Sequence, residues 1–168
     1  MKKIIALLLL GACLIMSSAY AAEKNVNQEE QIMKEEFTTV FARGPKNDAY
    51  AKYFVGQSYL NMLSLEQVVI GNVTFEPGCR NNWHIHHADK GGGQILLVTG
   101  GRGYYQEWGK EARELLPGDV VNIPAGVKHW HGAAPTSWFA HLAIEVPGEN
   151  SKSEWCEPVD EKAYAALK

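Results

Sequence analysis

Short apolar runs separated by turn-forming residues dominate the chain from residue 59 to residue 146. Apolar and polar residues alternate within most of these runs, which is typical of β-strands that bury one face. Segments rich in Gly and Pro, such as 76–78 and 116–119, mark the turns between them. The pattern predicts an all-β barrel or sandwich, with strands at 59–62, 67–75, 82–86, 95–99, 103–108, 113–116, 120–123, 129–133 and 138–146.

Two helical segments flank the predicted strands. The segment 47–54 has Asp48 near its start and aromatic residues at helical spacing, so it predicts a short helix packed over the barrel end. The tail 158–168 has Asp160 as a candidate N-cap and continues into a stretch rich in Ala and Leu. We therefore expect short peripheral helices around an all-β domain.

The N-terminal residues have the pattern of an export signal. Two lysines precede an apolar run at 4–16, and small residues end at Ala21, which predicts a signal peptide at 1–21. The run is shorter than the roughly 20 residues needed to cross a bilayer, so we expect no membrane span. Cys13 lies in a lipobox-like segment, and a lipid anchor there is the alternative to cleavage after Ala21. We expect an exported, periplasmic protein, with secretion as a further alternative.

Composition favours one globular domain. The chain has 168 residues, of which 46% are apolar, and we assign 22–45 to a polar leader and first edge segment, 46–157 to the barrel domain and 158–168 to the tail. A formal net charge of −3 argues against a nucleic-acid partner. After signal cleavage Cys79 and Cys156 remain, and they either form a disulfide or stay buried thiols.

The candidate chemistry is concentrated in six histidines, none of which lies before residue 84 or after residue 141. His84 and His86 are two residues apart in a predicted strand and therefore share a face, whereas His87 points the other way. The same alternation places His129 and His131 on one face of a later strand. Three neutral imidazoles with one amide oxygen suit Mn, Fe, Co, Ni or Zn, whereas calcium would require more oxygen ligands.

Two spaced motifs run through the predicted barrel. The first includes Gly78, His84, His86, Gln94 and Gly101, and the second includes Gly118, Pro124, Gly126, His129 and Ala133. This spacing resembles the two motifs of the cupin superfamily and implies a single-domain, type-2 cupin barrel of the jelly-roll type. Gln94 stands where the motif usually has Glu, and Ala133 where it has Asn. Because the segment 87–93 is longer than the family spacing, either Gln94 or Asp89 completes the ligand set.

A narrower resemblance rests on the segments 73–78, 83–86, 129–136 and 141–144. These segments are similar to the small manganese-dependent cupin hydroxynitrile lyases of bacteria. The resemblance implies as metal ligands His84, His86, Gln94 and His129. It also implies manganese as the metal, with iron, cobalt, nickel or zinc as alternatives, and it makes His131 and His141 candidate acid/base groups. Glu145 shares a strand face with His141, and we expect it to set the charge of that imidazole as a third catalytic candidate.

Three functions remain open at this point: a hydroxynitrile-lyase-like enzyme acting on a small molecule, a quercetinase-like dioxygenase, and a non-catalytic binder of a metal or small ligand. Cupins that accompany carboxymuconolactone decarboxylase-like domains are also similar. Val73 and Phe75 share a face and predict an apolar pocket for an apolar or aromatic substrate. Trp83 and Trp130 lie opposite the ligands and predict outer-face packing or a subunit contact. We expect a homodimer or higher homo-oligomer.

Overall fold

Two facing β-sheets form the body of the protein. The computed structural model describes residues 37–167, so the predicted signal peptide at 1–21, Cys13 and most of the polar leader lie outside the described residues. Export, lipidation and oligomerisation therefore stay predictions. The described strands are β1 (Phe54–Val55), β2 (Ser58–Ser64), β3 (Ile70–Phe75), β4 (Arg80–Asn81), β5 (His84–His87), β6 (Lys90–Gly91), β7 (Gln94–Gly101), β8 (Gly103–Glu107), β9 (Arg113–Leu115), β10 (Val120–Ile123), β11 (Lys128–Ala133), β12 (Phe139–Glu145), β13 (Gly148–Glu149) and β14 (Lys152–Trp155).

Helices are few and short. A 3-10 helix spans Asp48–Tyr53, and the helix α1 spans Glu161–Ala165. The Asp160 side chain accepts a hydrogen bond from the backbone N–H of Ala163 at 2.9 Å, which is the N-cap that the sequence predicts. No helix within residues 37–167 is long and apolar enough to cross a membrane. The all-β prediction with short peripheral helices is confirmed.

The strand order explains how the barrel closes. One sheet has the order β10-β7-β12-β3-β2, and the other has the order β1-β4-β11-β5-β14, with β8 paired to β11 and β9 paired to β8. Alternation along β7 and β3 directs apolar side chains into the space between the sheets. This inner core consists mainly of Phe75, Leu96, Val98, Leu115, Val121, Ile123 and Phe139.

A second apolar cluster lies on the outer face of the larger sheet, under the C-terminal tail. Trp83 and Trp130 are buried there against Tyr164 of α1. The Tyr164 hydroxyl donates to the Ala133 carbonyl oxygen at 2.7 Å, and the Arg80 guanidinium lies 3.9 Å from the centre of the Tyr164 ring. The two tryptophans do lie on the outer face, as predicted, but the chain's own tail covers them. They therefore offer no free surface for a subunit contact.

The long segment after β5 is folded against its surroundings. The strand β6 in this segment pairs with β13, and the three consecutive glycines that end it all have positive φ, of 65°, 74° and 91°. A Cβ atom at Gly93 would collide with the carbonyl oxygen of Ile123. The close backbone approach requires glycine at this position and fixes the path of the chain into β7.

Gly93→Ala is expected to lower the free energy of unfolding by about 3 kcal/mol, because it combines left-handed backbone strain with a collision against backbone. Gly109→Ala is the matched control, since Gly109 also has a positive φ, 78°, but a Cβ there would meet no atom within 4 Å. We expect about 1 kcal/mol for the control. Chemical denaturation measures both values, and equal losses would contradict the packing argument.

Both described cysteines are free thiols. Cys79 is buried in the inner core, whereas Cys156 is partly exposed beside the outer cluster. Burial, with a smaller contribution from the Glu76 carboxylate, raises the pKa of the Cys79 thiol to about 12. The sequence left open whether Cys79 and Cys156 form a disulfide or stay thiols, and in the structure both are thiols.

Alkylation of the native protein at pH 8 is expected to modify Cys156 and to leave Cys79 unmodified until the chain is unfolded, because the thiolate is the reactive form and Cys79 lacks both charge and access. Peptide mapping by mass spectrometry gives the site of modification. A peptide pair linked through Cys79 and Cys156 would show instead that the two thiols are oxidised together.

Candidate metal centre

Three histidines converge at the centre of the larger sheet. His84 and His86 come from β5, and His129 comes from β11, where it pairs directly with His84. Because side chains two residues apart on a strand share a face, both β5 histidines point the same way as His129. All three are buried, and one ring nitrogen from each lies within 4.8 Å of the others.

Backbone carbonyls determine which nitrogen of two of these rings carries the hydrogen. His84 Nδ1 lies 2.9 Å from the Asn82 carbonyl oxygen, and His129 Nδ1 lies 2.9 Å from the Val127 carbonyl oxygen. A carbonyl oxygen only accepts, so Nδ1–H is the donor in both rings and Nε2 keeps its lone pair. This is the tautomer that a metal-ligating histidine needs.

Gln94 and Glu145 complete the buried polar group. Gln94 Nε2 donates to Glu145 Oε1 at 2.7 Å, and His86 Nδ1 lies 3.1 Å from Glu145 Oε2. Within residues 37–167, the buried atoms left without a hydrogen-bond partner include His86 Nε2, His129 Nε2 and Gln94 Oε1. Such orphaned acceptors are costly in a protein interior, and a divalent cation held by the three histidines would satisfy the two imidazole nitrogens.

Burial keeps two of the three histidines, His84 and His129, uncharged. It lowers the pKa of His84 well below its usual value, and the neighbouring His129 adds to the effect. It also lowers the pKa of His129 to about 4. Burial raises the pKa of the Glu145 carboxyl, but the hydrogen bonds from His86 and Gln94 outweigh it and hold this pKa below the ordinary value. His84 and His129 therefore offer neutral nitrogen donors at neutral pH, and the Glu145 carboxylate contacts the third histidine, His86.

The alternative ligand lies elsewhere. Asp89 is exposed, and its Oδ2 accepts a hydrogen bond from Asn150 Nδ2 at 2.7 Å. His87 points away from the cluster, as the alternation predicts, and its Nε2 lies 2.7 Å from Glu154 Oε2. Asp89 therefore lies away from the buried polar group to which Gln94 belongs, and Gln94 as the fourth ligand stays a prediction.

A second histidine pair lies beside the cluster. His131 follows His129 on β11, and His141 comes from β12 of the opposite sheet, with His141 Nε2 3.0 Å from His131 Nδ1. Asn81 holds His131 in place, since its Oδ1 accepts from the His131 backbone N–H at 2.9 Å and its Nδ2 lies 3.1 Å from His131 Nε2. Burial lowers the pKa of His131 well below its usual value and that of His141 to about 4.

An apolar cavity of about 360 Å³ opens onto these groups. Its lining includes His84, His86, Gln94 and His131, and the remaining wall is largely apolar, formed chiefly by Phe54, Leu60, Val73, Ala143 and Trp155. Val73 lines the cavity as predicted, while Phe75 packs behind it against His131 and His141. His141 is fully buried, so of the two acid/base candidates only His131 reaches the cavity wall.

Sequence reasoning missed two residues of the site. Trp155 stacks on His84 with ring centroids 4.8 Å apart, because β14 pairs with β5 and sets these two residues opposite each other. Asn81 lies in the two-residue strand β4, next to β11. Asn81 occupies one of the unspecified positions between Gly78 and His84 of the first motif, and the polar run of β14 gave no strand signal.

The expected role of Glu145 needs correction. It lies on the same face as His141, as predicted, but its carboxylate contacts His86 and Gln94. His141 instead pairs with His131. The carboxylate therefore acts on the metal-ligand side of the cavity and does not set the charge of His141.

Comparison with known proteins places this geometry in a family. Residues 71–142 match the family described as Cupin domain. Over 93 residues, 55% of this chain and 68% of the relative, the sequence is 46% identical to (R)-mandelonitrile lyase of Granulicella tundricola. The chain belongs to the cupin superfamily, as a single-domain type-2 cupin with a candidate three-histidine metal site.

Solved structures agree with this assignment. A cupin-like protein from Thermotoga maritima is 39% identical, superposes with a TM-score of 0.66, and the match covers 77% of this chain and 96% of that chain. A cupin 2 conserved barrel domain protein from Rhodopseudomonas palustris is 15% identical with a TM-score of 0.52, over 68% of this chain and 81% of that one. The latter likeness concerns the fold alone.

Replacing His84 with Ala is expected to weaken Mn(II) binding by more than about a hundredfold, because it removes one of few nitrogen donors from the cluster. His87→Ala is the control, since His87 lies on the same strand but faces the other way, and its affinity is expected to match the wild type. Elemental analysis and chelator competition measure both. Similar metal content in the His84 variant and the wild type would place the metal elsewhere.

Proposed function

We propose that this protein is a divalent-metal-dependent lyase that cleaves a small aromatic hydroxynitrile into an aldehyde and hydrogen cyanide. The observation that carries the proposal is the position of His131 on the wall of the cavity that His84, His86 and Gln94 also line. A proton-transfer group and a set of orphaned metal donors thus face the same small volume. The 46% identity with a mandelonitrile lyase supports this choice among cupin activities.

The donor set fits a borderline divalent cation, and we propose manganese, with iron, cobalt, nickel and zinc as the alternatives to be tested. When bound, such a cation supplies a positive charge that polarises a substrate oxygen or stabilises a developing anion. The chain contributes three neutral imidazoles and a neutral amide oxygen as ligands, so the ligands themselves do not offset the charge of the cation.

Proton transfer is assigned to the His131 imidazole. Asn81 Nδ2 lies 3.2 Å from His131 Nδ1 and 3.1 Å from His131 Nε2, and His141 Nε2 lies 3.0 Å from His131 Nδ1. The imidazole, uncharged because burial lowers its pKa, takes the substrate hydroxyl proton while the carbon–carbon bond breaks and its electron pair leaves with cyanide. The same proton passes to cyanide to give hydrogen cyanide, which returns His131 to its neutral form. His141 orients the ring and shares its charge during this step.

The apolar wall selects the substrate. Phe54, Leu60, Val73 and Trp155 present aromatic and aliphatic surface to the cavity, and its volume of about 360 Å³ suits a single aromatic ring with a short polar substituent. The polar end of such a molecule is then directed to the polar part of the lining, which includes His84, His86, Gln94 and His131.

The test is release of benzaldehyde from mandelonitrile by Mn(II)-loaded mature protein, residues 22–168, under anaerobic conditions. His131→Phe is expected to lose at least about a hundredfold in kcat while keeping its bound metal, because a general base contributes about that much or more. His87→Ala is expected to retain wild-type activity. An inactive wild type would refute the lyase assignment, and oxygen consumption with a flavonol would identify a dioxygenase instead.

A further inference from the structure

One carboxylate holds two of the candidate metal ligands. Glu145 Oε1 accepts from Gln94 Nε2 at 2.7 Å, and Glu145 Oε2 lies 3.1 Å from His86 Nδ1. The two contacts use different oxygens, so neither competes with the other. The pairing follows from the sheet register, in which Glu145 of β12 lies directly opposite Gln94 of β7.

His86 differs from the other two histidines of the cluster. His84 and His129 each have a backbone carbonyl at Nδ1, which is a fixed acceptor built into the strand. The contacts of His86 Nδ1 within the described residues are to side chains, the Glu145 carboxylate and the Ser153 hydroxyl at 3.3 Å. A hydroxyl both donates and accepts, so only the carboxylate determines which His86 nitrogen carries the hydrogen.

Gln94 has the same ambiguity. A side-chain amide presents either its oxygen or its NH2 group to a given point, and only the oxygen can bind a cation. The carboxylate accepts hydrogen bonds and does not donate them, so it holds the amide nitrogen and leaves Oε1 pointing elsewhere. Gln94 Oε1 is indeed buried without a hydrogen-bond partner in the part of the chain that is described.

We propose that Glu145 is a positioning residue of the metal centre: its two oxygens orient Gln94 Oε1 and His86 Nε2 as ligands, and it takes no part in moving the substrate proton. The inference rests on the metal site of the proposed function. The positioning role does not depend on which reaction the site performs, because the contacts of Glu145 are to candidate ligands, while His131 and His141 contact each other.

Glu145→Gln tests the proposal with a side chain of nearly the same shape. Its amide offers one acceptor and one donor where the carboxylate offered two acceptors. Either Gln94 turns its NH2 group toward the metal position or His86 moves its hydrogen to Nε2, and one ligand is lost in both cases. We expect Mn(II) affinity to fall about tenfold to a hundredfold, measured by chelator competition at fixed pH.

Glu154→Gln is the matched control. Glu154 Oε2 makes the same kind of contact, at 2.7 Å, with His87 Nε2, the residue next to His86 that faces away from the cluster. The control also removes one negative charge from the neighbourhood of β5, so it measures the effect of charge without the effect of orientation. We expect its Mn(II) affinity to match the wild type.

The exchange variant Gln94→Glu/Glu145→Gln separates orientation from a general structural role. The carboxylate now at position 94 accepts from the amide nitrogen now at position 145, and the amide oxygen at position 145 accepts from His86 Nδ1–H. A second carboxylate oxygen at position 94 remains for the metal. All hydrogen bonds are satisfied again, so we expect Mn(II) affinity to recover to at least the wild-type level. The electron paramagnetic resonance spectrum of bound Mn(II) is expected to change in Glu145→Gln and to stay unchanged in Glu154→Gln.

Each outcome decides the matter. Wild-type affinity in Glu145→Gln, or an exchange variant no better than Glu145→Gln, would overturn the positioning role. Thermal unfolding of the metal-free variants identifies any that fail to fold, and the exchange variant then carries the test. Tight Mn(II) binding without lyase activity would refute the proposed reaction alone, whereas a wild type that binds no Mn(II) would overturn both.

Discussion

The antiparallel pairing of β5 with β11 is the constraint on which the site depends. It sets His129 opposite His84 and, through the two-residue repeat of a strand, brings His86 and His131 to the same interior face. A slip of one residue in this pairing would turn His129 outward and leave the cluster with two nitrogens. The inward faces of both strands are thus occupied by imidazole rings, and burial keeps those of His84, His129 and His131 uncharged.

Each of the two large sheets contributes part of the candidate site. The larger sheet carries the three histidines of the cluster and His131, while the smaller sheet contributes Gln94, His141 and Glu145. A bulge between Ala140 and His141 shifts the β12–β7 register by one residue. Without it, Glu145 would lie opposite Ile95, whose side chain points to the other face, and the contact between Gln94 and the carboxylate would be lost.

Several features follow directly from local patterns. The alternation in β5 and β11 predicted which strand face each histidine occupies, and the resemblance to the cupin motifs implied Gln94 as a ligand candidate, with Asp89 as the alternative. Strand positions agree within a few residues over most of the barrel, because half-buried strands impose a period of two on the sequence. The strands that the sequence did not predict are either two residues long or polar. The strand β14 is of the second kind, because it is largely exposed and its conformation is stabilised by pairing with β5.

The sequence by itself determined the all-β fold, the family and the strand face on which each histidine lies. The alternation along each strand and the spacing of the motif residues can be read directly from the chain. Only the tertiary structure decided that Glu145 holds Gln94 and His86, that His141 supports His131 from behind, that Trp155 covers His84, and that Asp89 lies outside the site. Most of these contacts join residues about 50 or more positions apart, such as Gln94 and Glu145. Their existence depends on sheet register and on one bulge, which local hydrophobic pattern does not specify.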